Sequence, residues 1–301
     1  MDAHMLDAPA AGSFPRPELL GLLTGEGTGA AQVMMVEAPR GFGKTILLQQ
    51  WLDYAVRVSV PHAQVFAFPC ATETDFWDAI LKASGSGKEK AGEPKDPYAR
   101  VVRWAEKLTE PFTLVVDNYD QMTGPLLDDR LADLLESFPS LRLLIAGRYF
   151  SRLGGPLCAA TLEAVRVCEA DLSFSESETQ QLLESHGVAR EDVDESSLEL
   201  AQGWPLLVEL LASQAADQLW FGGIRVDACD VLSSFLHSPG ERKLAALIAT
   251  LPEVNATLLA DAMHVPVADM PAVLRPLLAN GLVQLCPHTG QARYSVTPIM
   301  R

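Results

Sequence analysis

The chain has 301 residues, 48% of them hydrophobic, and carries a formal net charge of −16, with 23 Lys and Arg against 39 Asp and Glu. Because so acidic a surface repels phosphate backbones and anionic lipids, general binding to nucleic acids or membranes is disfavoured. The five cysteines form no C-x-x-C pair, so no zinc or redox motif is present, and their scatter is typical of reduced thiols in a cytosolic protein.

The N-terminal stretch MDAHMLDAPAAGSF has no basic run followed by an apolar run, so it does not read as a signal peptide. No apolar stretch approaches the roughly 18 residues that a membrane-spanning helix needs. We therefore expect a cytoplasmic protein. Since the sequence stops at Arg301 within a strongly patterned segment, we expect the natural protein to continue beyond it.

Residues 1–18 are predicted to form a flexible tail, and residues 19–170 an α/β domain. In that domain short apolar runs alternate with helical patterns, which predicts a parallel sheet with helices on both faces. The predicted strands are residues 32–37, 64–68, 112–117, 141–147 and 164–167. The predicted helices are residues 17–23, 44–56, 74–83, 97–108 and 125–137. A Gly- and Lys-rich stretch, residues 84–95, is predicted to be a mobile surface loop.

Strands stop after Asp171, and residues 171–236 are predicted to form a small helical domain. Its helices are residues 175–186, 194–202 and 205–219, the first opened by a capping box of Ser175 and Glu178. Residues 237–301 are predicted to form a winged helix. It would contain helices at residues 238–251, 257–263 and 268–280, then a hairpin of residues 282–286 and 291–296 around a turn at 287–290.

The main chemical motif is the turn APRGFGKT, residues 38–45, between a predicted strand and a predicted helix. It fits G-x-x-x-x-G-K-[ST], except that Ala38 replaces the first glycine. Gly41 and Gly43 permit a turn whose amides face phosphates, Lys44 supplies positive charge, and Thr45 offers a hydroxyl to Mg²⁺. The turn predicts a P-loop that binds a nucleoside triphosphate. Its predicted binding residues are Pro39, Arg40, Gly41, Phe42, Gly43, Lys44, Thr45 and Ile46.

Three further residues are candidates for the same site. Asp117 ends an apolar strand and would hold Mg²⁺ together with Thr45, as the carboxylate known as Walker B. Arg148 follows the next strand along the chain; it either senses the γ-phosphate, which would make it catalytic with Asp117, or is an ordinary surface residue. Pro205 either contacts the adenine ring or only starts a helix.

In this order, the motifs resemble the STAND class of P-loop ATPases, and most closely the N-terminal ATPase and winged-helix part of MalT-like, LuxR-type transcriptional regulators. The resemblance spans nearly the whole chain. The segments that carry it are FPRP at residues 14–17, APRGFGKT at 38–45, LVVDNYDQM at 114–122, LIAGR at 144–148, ADLSFSESET at 170–179 and QGWP at 202–205.

The resemblance implies a regulatory switch that holds ADP when closed and exchanges it for ATP, with Mg²⁺, under the control of an inducer. It implies an inducer sensed by a region outside this chain, and self-association into a homo-oligomer when ATP is bound. It also assigns the phosphate and Mg²⁺ roles to Gly41, Gly43, Lys44 and Thr45. Asp117, Arg148 and Pro205 become the Walker B acid, the sensor arginine and the adenine contact.

Two positions depart from the family pattern. Asn118 stands where a second acid usually follows Asp117, and an amide cannot accept the proton of the attacking water. We therefore expect slow or absent hydrolysis. Thr297 stands where the family often has a histidine near the β-phosphate, so the closed, ADP-bound state is expected to be less tightly locked.

Two other functions stay open on the sequence. The chain could bind DNA through its own winged helix, but the candidate recognition helix, residues 268–280, carries one Arg, one Asp and two Pro. A helix that reads DNA needs several donors for bases and phosphates, so direct DNA binding is not expected. The chain could instead be a turnover ATPase of the chaperone or loader type, which sustained phosphate release would distinguish from a switch.

Overall fold

The structure is a computed structural model. It describes residues 14–25, 31–66, 72–87, 94–122, 126–148, 150, 163–221, 236, 238–251, 253–280, 282–286 and 293–296. Contacts divide the chain into two units. The first unit comprises Met1–Ala38 and Lys44–Asp171, and the second comprises Pro39–Gly43 and Leu172–Arg301. The finer division at residue 237 stays a prediction.

A five-stranded parallel sheet forms the centre of the first unit. Its strands are β1 (Val33–Glu37), β2 (His62–Phe66), β3 (Phe112–Asp117), β4 (Leu141–Gly147) and β5 (Ala164–Val167). They lie in the order β2-β3-β4-β1-β5, and every adjacent pair is parallel. The central strands β1, β3 and β4 are almost wholly buried, which explains their continuous apolar sequence. The predicted α/β class with a parallel sheet is confirmed.

Among its described residues, the first unit has six helices beside the sheet. They are α1 (Pro17–Thr24), α2 (Lys44–Arg57), α3 (Glu73–Ala83), α4 (Pro97–Ala105), α5 (Leu127–Ser137) and the single turn α6 (Glu169–Leu172), whose last residue is counted with the second unit. Side chains of β1 to β4, α3, α4 and α5 share one apolar cluster, which includes Phe76, Trp77 and Tyr119. This cluster lies under the turn that follows β3, so it supports the end of the strand that carries Asp117.

The second unit contains helices and a small antiparallel sheet. The helices are α7 (Glu176–Ser185), α8 (Glu195–Ala201), α9 (Pro205–Phe221), α10 (Pro239–Ala249), α11 (Ala256–Met263) and α12 (Met270–Asn280). The sheet has the order β6-β8-β7, with β6 (Val254–Asn255), β7 (Val283–Cys286) and β8 (Arg293–Val296). The predicted capping box of Ser175 and Glu178 starts α7. The winged-helix arrangement of α10 to α12 and this sheet stays a prediction.

Some predicted boundaries are wrong. The second strand starts at His62, two residues before the predicted start, and its predicted end lies outside the described residues. Helix α4 ends at Ala105 instead of Leu108, because Lys107 and Leu108 donate to carbonyls only three residues back. The strand β6 was not predicted, since two residues are too few for an alternating pattern.

Several other predictions fall on residues that lie outside the described ranges. They include most of the tail, the middle of the loop at 84–95, the hairpin turn at 287–290 and Thr297. Within the described ranges, no helix is both long and apolar enough to span a bilayer.

Candidate functional site

The predicted site residues of the first unit gather at one edge of its sheet. Parallel strands present their carboxyl ends at the same edge, and β1, β3 and β4 end at Glu37, Asp117 and Gly147. Glu37 is paired with Gly147 in register, and the Ala38 amide donates to the Gly147 carbonyl at 3.3 Å. The start of the P-loop motif, Asp117 and Arg148 therefore lie at the same edge, as predicted.

Helix α2 begins at Lys44, directly after the glycine-rich turn. Lys44 Nζ donates to the carbonyl of Ala38, the first residue of the motif, at 2.8 Å. This bond folds the ammonium group back over the turn. The positive end of the α2 dipole and the Lys44 charge therefore lie together, an arrangement that favours anions.

A hydroxyl and a carboxylate meet beside this helix start. Thr45 Oγ1 donates to Asp117 Oδ2 at 2.8 Å, and the Asn118 amide donates to Asp117 Oδ1 at 2.8 Å. Asp117 is only 2% exposed, so these bonds stabilise a buried carboxylate. Oxygen donors of this kind suit Mg²⁺, which in phosphate sites is held by few protein groups and by the phosphates themselves. The residues present therefore fit the predicted metal.

In the described part of the chain there is no group of three or more His, Cys, Asp or Glu side chains that could hold a metal ion. The described residues therefore do not form a metal site whose ligands are all protein side chains. The Thr45 and Asp117 pair belongs to a different kind of site, in which a bound nucleotide would supply further oxygen ligands.

The turn itself requires glycine for two separate reasons. Gly41 and Gly43 have φ values of +86° and +78°, in the left-handed region that side chains disfavour. At Gly41 a Cβ atom would also lie 2.7 Å from Trp204 Nε1 and 2.8 Å from Leu206 Cβ, whereas nothing lies within 4 Å of one at Gly43. Gly41 is therefore needed for both conformation and space.

Residues Pro39–Gly43 pack against the start of α9 within the second unit. Trp204 Nε1 donates to the Arg40 carbonyl at 3.2 Å, and the Leu206 amide donates to the Gly41 carbonyl at 3.0 Å. The ring of Phe42 stacks on Trp204, with ring centroids 6.2 Å apart. These contacts hold the Arg40 and Gly41 carbonyls of the turn in place.

The remaining predicted binding residues are placed as follows. Pro39 is buried, the Arg40 side chain is exposed, and Ile46 is 46% exposed in the first turn of α2. Pro205 is buried and is the first residue of α9, so it adjoins the two residues that contact the turn. Its contact with adenine stays a prediction, as do the roles of the other site residues.

Arg148 is paired with a carboxylate that the sequence did not single out as its partner. Arg148 Nε donates to Asp120 Oδ2 at 2.5 Å, and the Arg148 amide donates to Asp120 Oδ1 at 3.0 Å. The chain turns sharply after β3, because Asn118 has φ +58° and residues Tyr119–Gln121 form a 3₁₀ turn. This turn brings Asp120 to Arg148, instead of aiming it along the strand.

Tyr119 anchors the same turn in the apolar cluster. Its hydroxyl donates to Asp128 Oδ1 at 2.5 Å, and its ring contacts those of Phe76 and Phe150. Burial, with the hydrogen bond to Asp128 as a second cause, raises the pKa of the Tyr119 hydroxyl well above its usual range. Tyr119 therefore stays neutral and structural, and it fixes the backbone between Asp117 and Asp120.

Sequence reasoning missed the partners Asp120 and Trp204. A signal existed for Asp120, since an acid three residues after a strand-ending Asp can return to the sheet edge through a turn. The contact between Trp204 and Arg40 spans 164 residues of sequence, and no local pattern reports such a contact.

Comparisons with known proteins find relatives that match part of the chain. No protein-family model matches the chain. Over 219 residues it is 22% identical to the HTH-type transcriptional regulator MalT of Klebsiella pneumoniae, a match that covers 66% of this chain and 23% of the relative. The MalT of Serratia proteamaculans is 24% identical over 204 residues, which cover 61% and 22% of the two proteins. The match thus spans less than a quarter of these relatives.

Solved structures resemble the chain at low sequence identity. Cdc6p from Pyrobaculum aerophilum matches with a TM-score of 0.50 and 16% identity, covering 99% of this chain and 95% of that one. The Orc1 protein of Aeropyrum pernix, in a complex with DNA, gives a TM-score of 0.49 and 15% identity over 93% and 87% of the two chains. The chain thus has the fold of a P-loop ATPase and resembles MalT-like transcriptional regulators.

Proposed function

We propose that the chain is the ATP- and ADP-binding switch module of a signal-transducing transcriptional regulator, with slow or absent hydrolysis. The observation that supports it most is the 2.8 Å hydrogen bond between Thr45 Oγ1 and Asp117 Oδ2. A hydroxyl at the start of a helix after a glycine-rich turn, joined to a strand-ending carboxylate, is the pairing that P-loop proteins use for Mg²⁺ and phosphates.

In this proposal each group has a separate task. The amides of the turn that contains Gly41 and Gly43 bind the phosphates, and Lys44 contributes the charge. Thr45 and Asp117 would hold Mg²⁺, which when bound neutralises part of the phosphate charge. Pro205 would contact the adenine ring. Trp204 and Leu206 keep the turn in shape by holding the carbonyls of Arg40 and Gly41.

The groups near Asp117 support the proposal of slow hydrolysis. Asn118 carries an amide, which cannot accept a proton from water. Asp120 is the nearest other acid along the turn, but both of its oxygens accept hydrogen bonds from Arg148, and its side chain is 2% exposed. A carboxylate engaged in this way is a poor general base. Nucleotide exchange, rather than turnover, would therefore change the state of the protein.

The proposal extends to partners by resemblance. The inducer would be sensed by a region outside this chain, and the ATP-bound form would self-associate into a homo-oligomer. Residues 171–236 and 237–301 would be the helical and winged-helix domains of the module. No direct DNA binding is expected from this chain, because its net charge of −16 opposes contact with phosphate backbones.

Hydrogen–deuterium exchange on the whole chain tests the switch. A switch must have two states with different affinities for its two ligands. We expect ADP and a non-hydrolysable ATP analogue, each with Mg²⁺, to protect residues 38–45 alike. We expect them to differ at residues 117–121, at Arg148 and at the start of α9.

Identical exchange patterns with the two nucleotides would contradict a switch. Sustained phosphate release that disappears in Lys44→Ala would instead support the turnover ATPase. A switch and a turnover ATPase both bind nucleotide. The experiment therefore looks for the difference in exchange between the ADP-bound and ATP-analogue-bound chain, which a switch requires.

A further inference from the structure

The start of α9 donates two hydrogen bonds to the glycine-rich turn. Trp204 Nε1 donates to the Arg40 carbonyl at 3.2 Å, and the Leu206 amide donates to the Gly41 carbonyl at 3.0 Å. By its contacts the segment Pro39–Gly43 belongs to the same unit as α9. Two consecutive carbonyls of the P-loop motif are therefore held by the start of one helix.

Holding a carbonyl also fixes the direction of the next amide. A peptide unit is planar and trans, so its C=O and the N–H of the following residue point in opposite directions. The bond from Trp204 therefore sets the direction of the Gly41 amide, and the bond from Leu206 sets that of the Phe42 amide. In the proposed function, amides of this turn bind the phosphates.

A turn of this composition gains much from outside support. Gly41 and Gly43 have positive φ values, and glycine has more backbone freedom than any other residue. An unsupported turn would therefore lose much conformational entropy when a phosphate orders it. Hydrogen bonds that are present before the ligand arrives remove part of that cost, which raises the affinity.

Trp204 is itself held in place by its neighbours. It is 3% exposed and stacks on Phe42, which is 4% exposed. Its amide donates to the Ala201 carbonyl at 2.7 Å, and the Phe174 amide donates to the Gly203 carbonyl at 2.7 Å. Gly203 has φ +73°, and a Cβ atom there would overlap the Phe174 carbonyl. The indole N–H is therefore a donor in a fixed position.

We propose that Trp204 is a positioning residue for a polyphosphate chain: its indole N–H presets the glycine-rich turn and raises the affinity for phosphates whichever base they carry. This inference rests on the proposed function. The bond from Trp204 acts on the backbone of the turn, whereas the contact proposed for Pro205 acts on adenine. Inorganic tripolyphosphate, which has no base, should therefore bind to the same turn and depend on Trp204 as ATP does.

Titration calorimetry on the whole chain, with Mg²⁺ and either ATP, ADP or inorganic tripolyphosphate, tests this role. Trp204→Phe keeps an aromatic ring against Phe42 but has no N–H to donate. We expect each of the three ligands to bind about three- to tenfold more weakly, the effect of one lost hydrogen bond.

Trp204→His returns a ring N–H on a smaller side chain. At about pH 8.5 histidine is neutral, so an added charge does not contribute to phosphate binding. Histidine fills less space than phenylalanine, but it can donate to the Arg40 carbonyl. Its variant should therefore bind tripolyphosphate more tightly than Trp204→Phe, whereas a role of the ring in packing alone predicts the reverse order.

Trp77→Phe is the matched control. Trp77 is 1% exposed, and its Nε1 donates to Glu73 Oε1 at 3.2 Å, the same distance as in the bond from Trp204 to Arg40. This variant loses an equivalent bond in the first unit and should leave all three affinities unchanged. Urea denaturation of every variant verifies that the fold is intact.

Unchanged affinities in a folded Trp204→Phe chain would overturn the positioning role, as would an equal loss in Trp77→Phe. A histidine variant that binds tripolyphosphate no better than the phenylalanine variant would overturn it too. So would weaker binding of ATP and ADP alone, since Trp204 would then act on the base. In each of these cases the unmodified chain still binds ATP and the proposed function stands. If it bound none of the three ligands, both would fail.

Discussion

Asn118 affects both the hydrogen bonding of Asp117 and the direction of the backbone after β3. Its amide caps Asp117, and its φ of +58° starts the turn that carries Tyr119 and Asp120. Asn and Asp are the side-chain-bearing residues that best tolerate this left-handed conformation. An acid can therefore be introduced there without straining the turn.

Asn118→Asp should increase steady-state phosphate release from ATP by at least about tenfold, because a positioned general base typically contributes about 10²–10⁴ in rate. Asn118→Gly is the control, since glycine also accepts the left-handed backbone but offers no base. A rate that rises equally in both variants, or in neither, would mean that position 118 does not face the attacking water.

Local motifs in the sequence identified the candidate site residues but not the residues that contact them. The P-loop motif and Asp117 carry a local signature, because their chemistry requires fixed residue types next to a strand and a helix. The pairing of Arg148 with Asp120 depends on the left-handed turn at Asn118, a conformation that the sequence analysis did not predict. Trp204 has no local motif of its own beyond the segment QGWP, yet its indole holds the carbonyl of Arg40.

Among the secondary-structure elements and their connections, the glycine-rich turn has two glycines with a left-handed backbone, and only one of them is also closely packed. Gly41 and Gly43 both have positive φ, but only Gly41 has neighbours where a side chain would be. The two glycines therefore form a natural matched pair for separating the two effects.

Gly43→Ala should destabilise the chain by about 1–2 kcal/mol, the strain of a left-handed alanine. Gly41→Ala should cost a further 1–3 kcal/mol or so, because its methyl group would overlap Trp204 and Leu206. Urea denaturation followed by tryptophan fluorescence measures both. Equal midpoints for the two variants would show that the packing of the turn against α9 contributes nothing to stability.

Element prediction succeeded where burial is continuous and failed where elements are short. Strands β3, β4 and β5 have the predicted bounds, and two of them are apolar runs covered on both faces. Strand β6 has two residues and exists only because β8 pairs with it. The position of β1 between β4 and β5 is also set by pairing across the sheet, which the order along the chain does not determine.

At the scale of the whole molecule, charge and fold favour a nucleotide-binding regulator. The net charge of −16 opposes binding to extended phosphate backbones, whereas one concentrated group of amides and a lysine can still bind a single polyphosphate. The match to MalT spans 23% of that relative.

We propose that the turn at residues 38–45 binds ATP. Titration calorimetry with Mg²⁺ and ATP on the unmodified chain and on Lys44→Ala tests it most directly, with Lys82→Ala, in the last turn of α3, as the control. Lys44 would make charged hydrogen bonds worth about 1.5–3 kcal/mol each, so we predict at least a roughly tenfold loss of affinity in Lys44→Ala and none in Lys82→Ala. Unchanged ATP affinity in a folded Lys44→Ala chain would contradict the account.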